Sequence, residues 1–584
     1  MSKNRNEYMK EYKRRKRAEK KARKLQTADY YLSMSCITYE EAEKRGSGAC
    51  NGWACVSCCD AFIGNDINGV FDFLACLDRK SNVYVDNLSV WGRFIVSEAM
   101  ARGFVASSGT STPHTYRIVV DAYGKWIALQ VNVNGTTAYV KDFHGIIKTS
   151  INEAQQAFLD SDALLLSNLD VAECMQQVHC KFNDAVKELA GAKITASTIA
   201  GYAKKMLYVI YGDGCERLGY ELFKQDYPDL PREIMDDIRE SKLYRSGLNY
   251  MPKAATAYRG ECFVYDRRSF YPFIYSNFAL PYGQVYKREY LDILEARKTI
   301  DNFDDEYYII YDIDELEAEI NPGGVPCIQI INSATQTQYL ERIKFFGECK
   351  FMLDSHDLEA LEENYDIKTL SVNYCYVWRK KVNINLAEFG KRLYRFKQDN
   401  QGDAVGVVAK YLINSITGQF GANPYKPETV IENGKYTRRE LVYKGEIGYL
   451  PVAACINSIG RKILARDIST VGLKYLYGDT DSIITAQRSE LLEKLSGDGM
   501  GQYSRKHYEN CVFMGRKCYG LKMFGHGWKW TVAGASPEML EKLDAENFKP
   551  GETLTGGVTP KIYDNLTVAF KEREYTIAKN GRVW

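Results

Sequence analysis

Two aspartates two residues apart, Asp479 and Asp481, lie in Tyr477-Gly478-Asp479-Thr480-Asp481-Ser482, within an apolar, β-favouring run from Leu473 to Thr485. On a strand, residues i and i+2 share a face, so this spacing predicts that both acids project together. Like charges side by side repel unless something positive joins them. A divalent cation is the usual partner, and in phosphoryl transfer a pair of cations stabilises the attacking and leaving oxygens. The hexapeptide also suits a solvated hairpin tip, so it does not decide alone. A further acid, Asp266, follows an apolar, aromatic strand (Cys262 to Tyr265) and precedes Arg267-Arg268-Ser269-Phe270-Tyr271-Pro272. In a third segment, Val405 to Gly421, apolar spacing predicts a helix with Lys410 and Asn414 one turn apart on one face. A lysine on an otherwise apolar helix, with a polar residue one turn on, suits a triphosphate clamp.

In chain order these segments resemble motifs A, B and C of the family B DNA polymerases. Within that family the chain resembles the protein-primed polymerases of the phi twenty-nine-like phage type. Tyr244-Arg245-Ser246-Gly247 is similar to the family's Tyr-x-Gly-Gly motif, and Lys517-Cys518-Tyr519 to its Lys-x-Tyr motif. Similarity continues at Leu280-Pro281-Tyr282-Gly283, Asp357 to Tyr365, Asn423-Pro424 and Thr531 to Gly534, from about residue 240 to the end.

The resemblance implies a template-directed DNA polymerase with Asp266, Asp479 and Asp481 as catalytic residues. Asp266 and Asp481 would ligate two Mg²⁺ ions, replaceable by Mn²⁺. Lys410, with Lys397 as a second candidate, would contact the triphosphate, and Asn414 would support the nascent base pair. Tyr271 would pack under the sugar and select dNTP over NTP. Lys517, Tyr519 and Arg461 would hold the primer, and Tyr244 and Gly247 the template. Thr417 stands where the family usually has tyrosine. The implied partners are a DNA primer-template, dNTPs and a priming (terminal) protein. A monomer in the cytoplasm of a bacterial host, encoded by a phage or mobile element, is implied. A reverse transcriptase fits less well, because it pairs adjacent aspartates whereas Thr480 separates these two. A catalytically silent DNA-binding replication scaffold is the alternative reading.

The elements that must position these residues are expected to be of mixed α/β and α+β class in several domains. The resemblance implies an RNase H-like exonuclease-type domain followed by a right-hand polymerase with palm, fingers, thumb and two family-specific insertions. The expected boundaries are a basic tail (1–27), the exonuclease-like domain (28–240), palm (241–285), first insertion with priming-protein docking (286–385), fingers (386–422), second insertion (423–450), palm (451–532) and thumb (533–584). Strand candidates in the first domain are Trp53–Ile63, Arg117–Val120, Trp126–Val133 and Thr137–Val140. The acidic run Asp301 to Glu319 reads as a solvated face.

The exonuclease motifs depart from the family pattern. Val83 to Ile95 resembles the second motif, keeps Asn87, but has Trp91 at the acid's position. The first motif should lie near Ile37 to Glu41 and lacks its aspartate. The third has no match; Leu166 to Asp170 offers an acid without the tyrosine. Too few carboxylates remain for two divalent ions, so proofreading is expected to be absent.

Composition narrows the class. The 584 residues allow several domains. No run of about 18 apolar residues indicates a membrane span. Residues 1–26 hold twelve Lys/Arg and three Glu, a net +9 against +2 for the chain, which leaves −7 for the rest. That tail reads as a solvated arm or a DNA- or partner-docking arm. Sixteen cysteines, clustered at Cys50, Cys55, Cys58 and Cys59, read as buried thiols rather than a zinc site.

Overall fold

The computed structural model describes residues 28–36, 49–77, 80–107, 112–120, 126–289, 306–330, 339–422, 425–432, 435–443, 448–562 and 568–577. The basic tail and the region of the first exonuclease motif lie outside these residues. Its first sheet is built from β1 (Ala28–Cys36), β2 (Cys50–Val56), β3 (Ala61–Gly64), β4 (Ser81–Val85), β5 (Val105–Ala106), β6 (Thr115–Val120), β7 (Trp126–Val133) and β8 (Thr136–Asp142). The strand order is β3-β2-β1-β4-β8-β7-β6-β5, with β1, β4 and β8 parallel at its centre. The expected strand Trp53–Ile63 is two strands, because Ser57 and Asp60 close a turn at 2.8 Å. Asp66 caps α1 (Ile67–Cys76), and Asn87 caps α2 (Leu88–Ala101) through the Val90 N–H. Every cysteine is a free thiol; Cys50 and Cys55 are buried, whereas Cys58 and Cys59 are exposed, contrary to the reading of the cluster as wholly buried.

Five helices follow: α3 (Ile151–Leu159), α4 (Asn168–Ala190), α5 (Ile199–Tyr211), α6 (Glu216–Asp226) and α7 (Arg232–Glu240). Capping boxes, Ser150 with Glu153 and Ser167 with Asp170, start α3 and α4. Asp170 is therefore occupied as a helix cap.

The chain then runs through β9 (Asn249–Tyr250), β10 (Gly260–Arg267), α8 (Phe270–Asn277), β11 (Leu280–Glu289), β12 (Tyr307–Ile320), β13 (Arg342–Phe346), β14 (Met352–Asp354), α9 (Ser355–Asn364) and β15 (Tyr365–Lys381). Strands β11-β15-β12-β13 form a sheet with β14 beside β12. The acidic run is thus solvated on one face only along its described length: Glu306, Asp314 and Glu315 are exposed. β12 pairs on both edges, and its acids alternate with apolar residues, so even Asp312 is buried.

Next come α10 (Ile384–Asp399), α11 (Ala404–Phe420), the hairpin β16 (Tyr425–Glu432) and β17 (Lys435–Tyr443), and α12 (Leu450–Val471). Last come β18 (Tyr475–Asp479), β19 (Ser482–Thr485), β20 (Tyr503–Gly515), β21 (Cys518–Lys522), β22 (Trp528–Val532) and the hairpin β23 (Thr553–Ile562) and β24 (Val568–Thr576). The strand order β22-β21-β20-β10-β19-β18-β9 makes a seven-stranded sheet from both halves of this region. The mixed α/β and α+β class is the expected one. Among the described residues no helix is long and apolar enough to cross a membrane.

One apolar core runs through these units. It joins Phe182 of α4 and Met206 of α5 to Phe389 of α10, Ile413 of α11 and Ile456 of α12. Phe420, almost fully buried, packs on Tyr227 with ring centroids 5.2 Å apart and on Phe223 at 6.0 Å. Phe420→Ala is expected to cost about 3–5 kcal/mol through lost burial and the cavity left behind. Denaturant titration of the variant checks this, with the first sheet and α11 lost in one transition.

Candidate active site

Sheet register brings the acids together. In β10, Asp266 lies opposite Ser482 of β19 and Ser504 of β20. The neighbouring Arg267 N–H donates to the Asp481 carbonyl at 2.8 Å. Asp266 and Asp481 therefore meet at the ends of adjacent strands. Asp479 and Asp481 do not share one strand face, as the spacing suggested. Asp479 ends β18, and Asp481 follows a tight turn whose N–H donates to the Asp479 carbonyl at 2.6 Å. Thr480 at its centre has φ +63°, a conformation costly for a β-branched residue. The Leu248 carbonyl holds the turn by accepting from the Thr480 N–H at 2.7 Å. Gly247 makes room: a Cβ there would sit 2.9 Å from Thr480 Cα and from the Tyr271 hydroxyl. The close approach of turn, tyrosine and 245–247 segment thus requires glycine.

The three carboxylates differ in what surrounds them. Asp479 accepts from Asn249 Nδ2 (3.2 Å), Tyr477 Oη (3.1 Å) and Thr480 Oγ1 (3.0 Å), and Lys517 Nζ stands 3.4 Å away. Burial, then the charges of Asp266 and Asp479, push the Asp481 carboxyl up to about 7. Partial loss of solvent also raises Asp266, against the pull of Lys506, Lys397 and Arg268. Two adjacent oxygen donors that disfavour each other's charge fit a hard divalent cation. Among the described residues no three acids, histidines or cysteines gather into a cage. The pair would hold a cation whose coordination is completed by oxygens from outside the protein.

A cationic cavity of about 290 Å³ adjoins the acids, lined by Arg268, Lys397 and Lys410 with Tyr394, Gln398 and Gln401. Lys410 and Asn414 are exposed on one face of α11, one turn apart. Lys397 donates to Ser269 Oγ at 3.0 Å. Burial, then Lys410 and Arg268, lower the Lys397 ammonium below its ordinary range. The loop after α10 closes tightly, since a Cβ on Gly406 would lie 1.9 Å from the Asn400 carbonyl. Tyr394 Oη and Gln398 Nε2 donate to the Asp498 carbonyl (2.6 and 2.9 Å), which clips α10 to the 496–502 loop.

Other expected contacts are placed differently. Arg461 is 1% exposed and cannot reach a primer strand. Its guanidinium meets Asp357 at 2.7 Å and donates to the carbonyls of Arg245 and Ser246, both at 3.2 Å. Arg245, also buried, meets the same Asp357 at 3.2 Å. Arg461 thus anchors the segment leading to Gly247. Tyr244 is partly exposed and covers Gly421, whose Cβ would lie 2.4 Å from its ring. Lys517 is exposed, and the Tyr519 ring lies tilted against Tyr477 with centroids 5.3 Å apart. Sequence reasoning missed Arg268, Asn249 and Tyr477. The paired arginines after Asp266 were the available signal for the first; nothing local marks Asn249.

The Asp481 shift has a sign that can be measured. Between the ordinary aspartate value near 4 and about 7, the folded chain keeps a proton that the unfolded chain releases. Stability therefore falls as pH rises through that window. Without divalent ions, Asp481→Asn is expected to melt higher than the parent at pH 8, with the gain shrinking at pH 5. An equal gain at both pH values would show that Asp481 ionises at its ordinary value.

The chain matches the family model described as DNA polymerase type B, organellar and viral, over residues 167–491. The DNA polymerase of Bacillus phage phi29 is 25% identical over 457 residues, 72% of this chain and 73% of that protein. The DNA polymerase of Bacillus phage B103 is 23% identical over 556 residues, 88% of this chain and 94% of that protein. Among solved structures, phi29 DNA polymerase complexed with primer-template DNA and incoming nucleotide substrates superposes with a TM-score of 0.77 at 18% identity. That match covers 95% of this chain and all of the other, and it shows a shared fold. Matched to the family model over more than half its length, the chain belongs to the type B DNA polymerases of organellar and viral origin and is a DNA-directed DNA polymerase.

Proposed function

We propose that this polymerase extends DNA by two-metal nucleotidyl transfer, starts from a protein primer and lacks 3′–5′ exonuclease activity. The observation that carries the reading is the Asp266–Asp481 pair beside the cavity of Arg268, Lys397 and Lys410. Bound at the pair, Mg²⁺ (or Mn²⁺ in its place) would activate the primer hydroxyl and neutralise the charge on the α-phosphate oxygens. The chain's own groups do the rest. Lys410, Lys397 and Arg268 bind the β- and γ-phosphates and stabilise the departing pyrophosphate. Tyr271, on the first turn of α8, blocks a 2′-hydroxyl, and Asn414 faces the nascent pair. Asp479 orients Lys517 toward the primer backbone, with Tyr519 beside it; Tyr244 lines the template side. The phi29 enzyme has been solved with primer-template DNA and nucleotides, which supports DNA and dNTPs as partners here. A terminal protein docking on residues 286–385 remains part of the proposal.

Support for absent proofreading comes from neutral groups on β1, ahead of the expected first motif, and at the start of α4, where the third motif's acid was expected. Ser33 Oγ donates to Asn168 Oδ1 at 3.1 Å, and Asn168 Nδ2 donates to Ser35 Oγ at 3.0 Å. Trp91 Nε1 is bound to Asp86 at 2.7 Å. Serine and asparagine are poor ligands for a pair of divalent ions.

A labelled primer on a longer template, with Mg²⁺ and with or without dNTPs, tests both halves. Extension that falls at least about 10²–10³-fold in Asp481→Asn, with an unshortened primer when dNTPs are omitted, is the expected result. Shortening that persists in the variant would overturn the proofreading half, and extension by the variant would overturn the site. Arg268→Met is expected to raise KM for dNTP about tenfold or more, the worth of one charge-assisted hydrogen bond. Steady-state kinetics with Arg268→Lys, which restores part of the loss, separates charge from fold.

A further inference from the structure

A second cavity, about 650 Å³, lies between the first sheet and α4. Its floor and roof are polar where a helix on a sheet ordinarily buries apolar side chains. The floor follows the two-residue period of parallel strands. Asp29 of β1 stands opposite Asn82 of β4, whose Nδ2 donates to it at 2.7 Å, and Lys141 of β8 stands opposite Tyr84. The roof follows the helical period: His179, Asn183 and Lys187 lie four residues apart along α4. Lys193 completes the rim, and Ser197 accepts from Lys141 Nζ at 2.8 Å.

One atom in this cavity is left without a partner. His179 is 2% exposed, and Tyr31 Oη lies 2.8 Å from its Nδ1. Its Nε2 is buried with no hydrogen-bond partner among the described residues. Burial pushes the imidazole down to about 4 and keeps the Tyr31 hydroxyl protonated, so the ring is neutral near pH 7. Whichever ring nitrogen carries the proton, Nε2 is left short of a partner beside the cavity. Lys141, Lys187 and Lys193 outnumber Asp29 and Asp184 around it. Donors and positive charge therefore exceed what the lining itself can satisfy.

We infer that this cavity binds a small phosphate-bearing anion, no larger than a mononucleotide. Its volume falls in the ordinary range of small-molecule sites, about 300–1,000 Å³. It shares no residue with the cleft of Asp266 and Asp481. It is also separate from the Ser33–Asn168 contact: Asn183 lies 15 residues along α4 from Asn168, about 22 Å at helical rise. Lys187 and Lys193 take the phosphate at the rim, Lys141 donates from within, and the buried His179 ring in the wall senses the bound charge.

The test is calorimetric titration of the full chain, without divalent ions, using inorganic phosphate in one arm and dAMP in the other. A parallel readout follows the imidazole resonances, which are few because the chain has six histidines. His179 is assigned by its loss in His179→Gln. The expected result is one saturable site that moves the His179 ring signal. Lys187→Glu and Lys193→Glu, both exposed and remote from any core, should each weaken binding at least tenfold while primer extension stays at the parental rate. Tighter binding of dAMP assigns a mononucleotide, and equal binding assigns free phosphate. Absence of saturable binding in both arms, or binding that neither substitution weakens and His179 does not sense, overturns the inference.

Discussion

Repulsion between Asp266 and Asp481 is the constraint around which this site is arranged. Two carboxylates that would separate in solution are held at neighbouring strand ends by backbone hydrogen bonds. The backbone positions that carry them cannot separate without breaking the register of a central strand pair. A divalent cation at the pair would relieve that repulsion, as the proposed chemistry requires. Asp479 escapes the same fate because four donors surround it. One carboxylate is thereby made structural and two are left available.

The hairpin turn that separates them is itself costly and needs support from outside the hairpin. That support arrives through the 245–247 segment, which is fixed in turn by Asp357 between two buried guanidiniums. A buried ionic triad of this kind adds little net stability, but removing its acid would leave two charges unpaired. Its use here is positional. Asp357 begins α9, beyond the β11–β14 stretch, so the insertion between motif A and motif B reaches back to set the geometry of motif C.

Much of this was legible in the chain. Asp266, Asp481, Lys410 and Asn414 are each marked by residue type, and the periods around Asp266, Lys410 and Asn414 survive as β10 and α11. What stayed hidden depends on pairing over long sequence separations. The turn at Thr480 was hard to tell from strand because β-favouring residues continue on both sides and the nearby glycine, Gly478, lies within β18. Arg461 looked like a nucleic-acid contact because a helix arginine gives no sign of an acid 104 residues upstream. The acidic stretch at β12 looked solvated because composition outweighed its alternation. Arg268 was visible only as one of two arginines, and register alone decides that Arg267 turns inward to Asp467 at 2.6 Å while Arg268 lines the cationic cavity.

The continuous core between the N-terminal helices and α10–α12 has a further consequence. An N-terminal unit that synthesis did not need would be free to erode or be discarded. Here Tyr227 and Phe223 form part of the wall against which Phe420 closes α11, the helix that carries Lys410 and Asn414. Shedding the N-terminal unit would strip that wall away and expose aromatic surface on the nucleotide-binding side. Under the proposed loss of nuclease activity, selection on synthesis alone would suffice to retain the N-terminal unit as a chassis for α11.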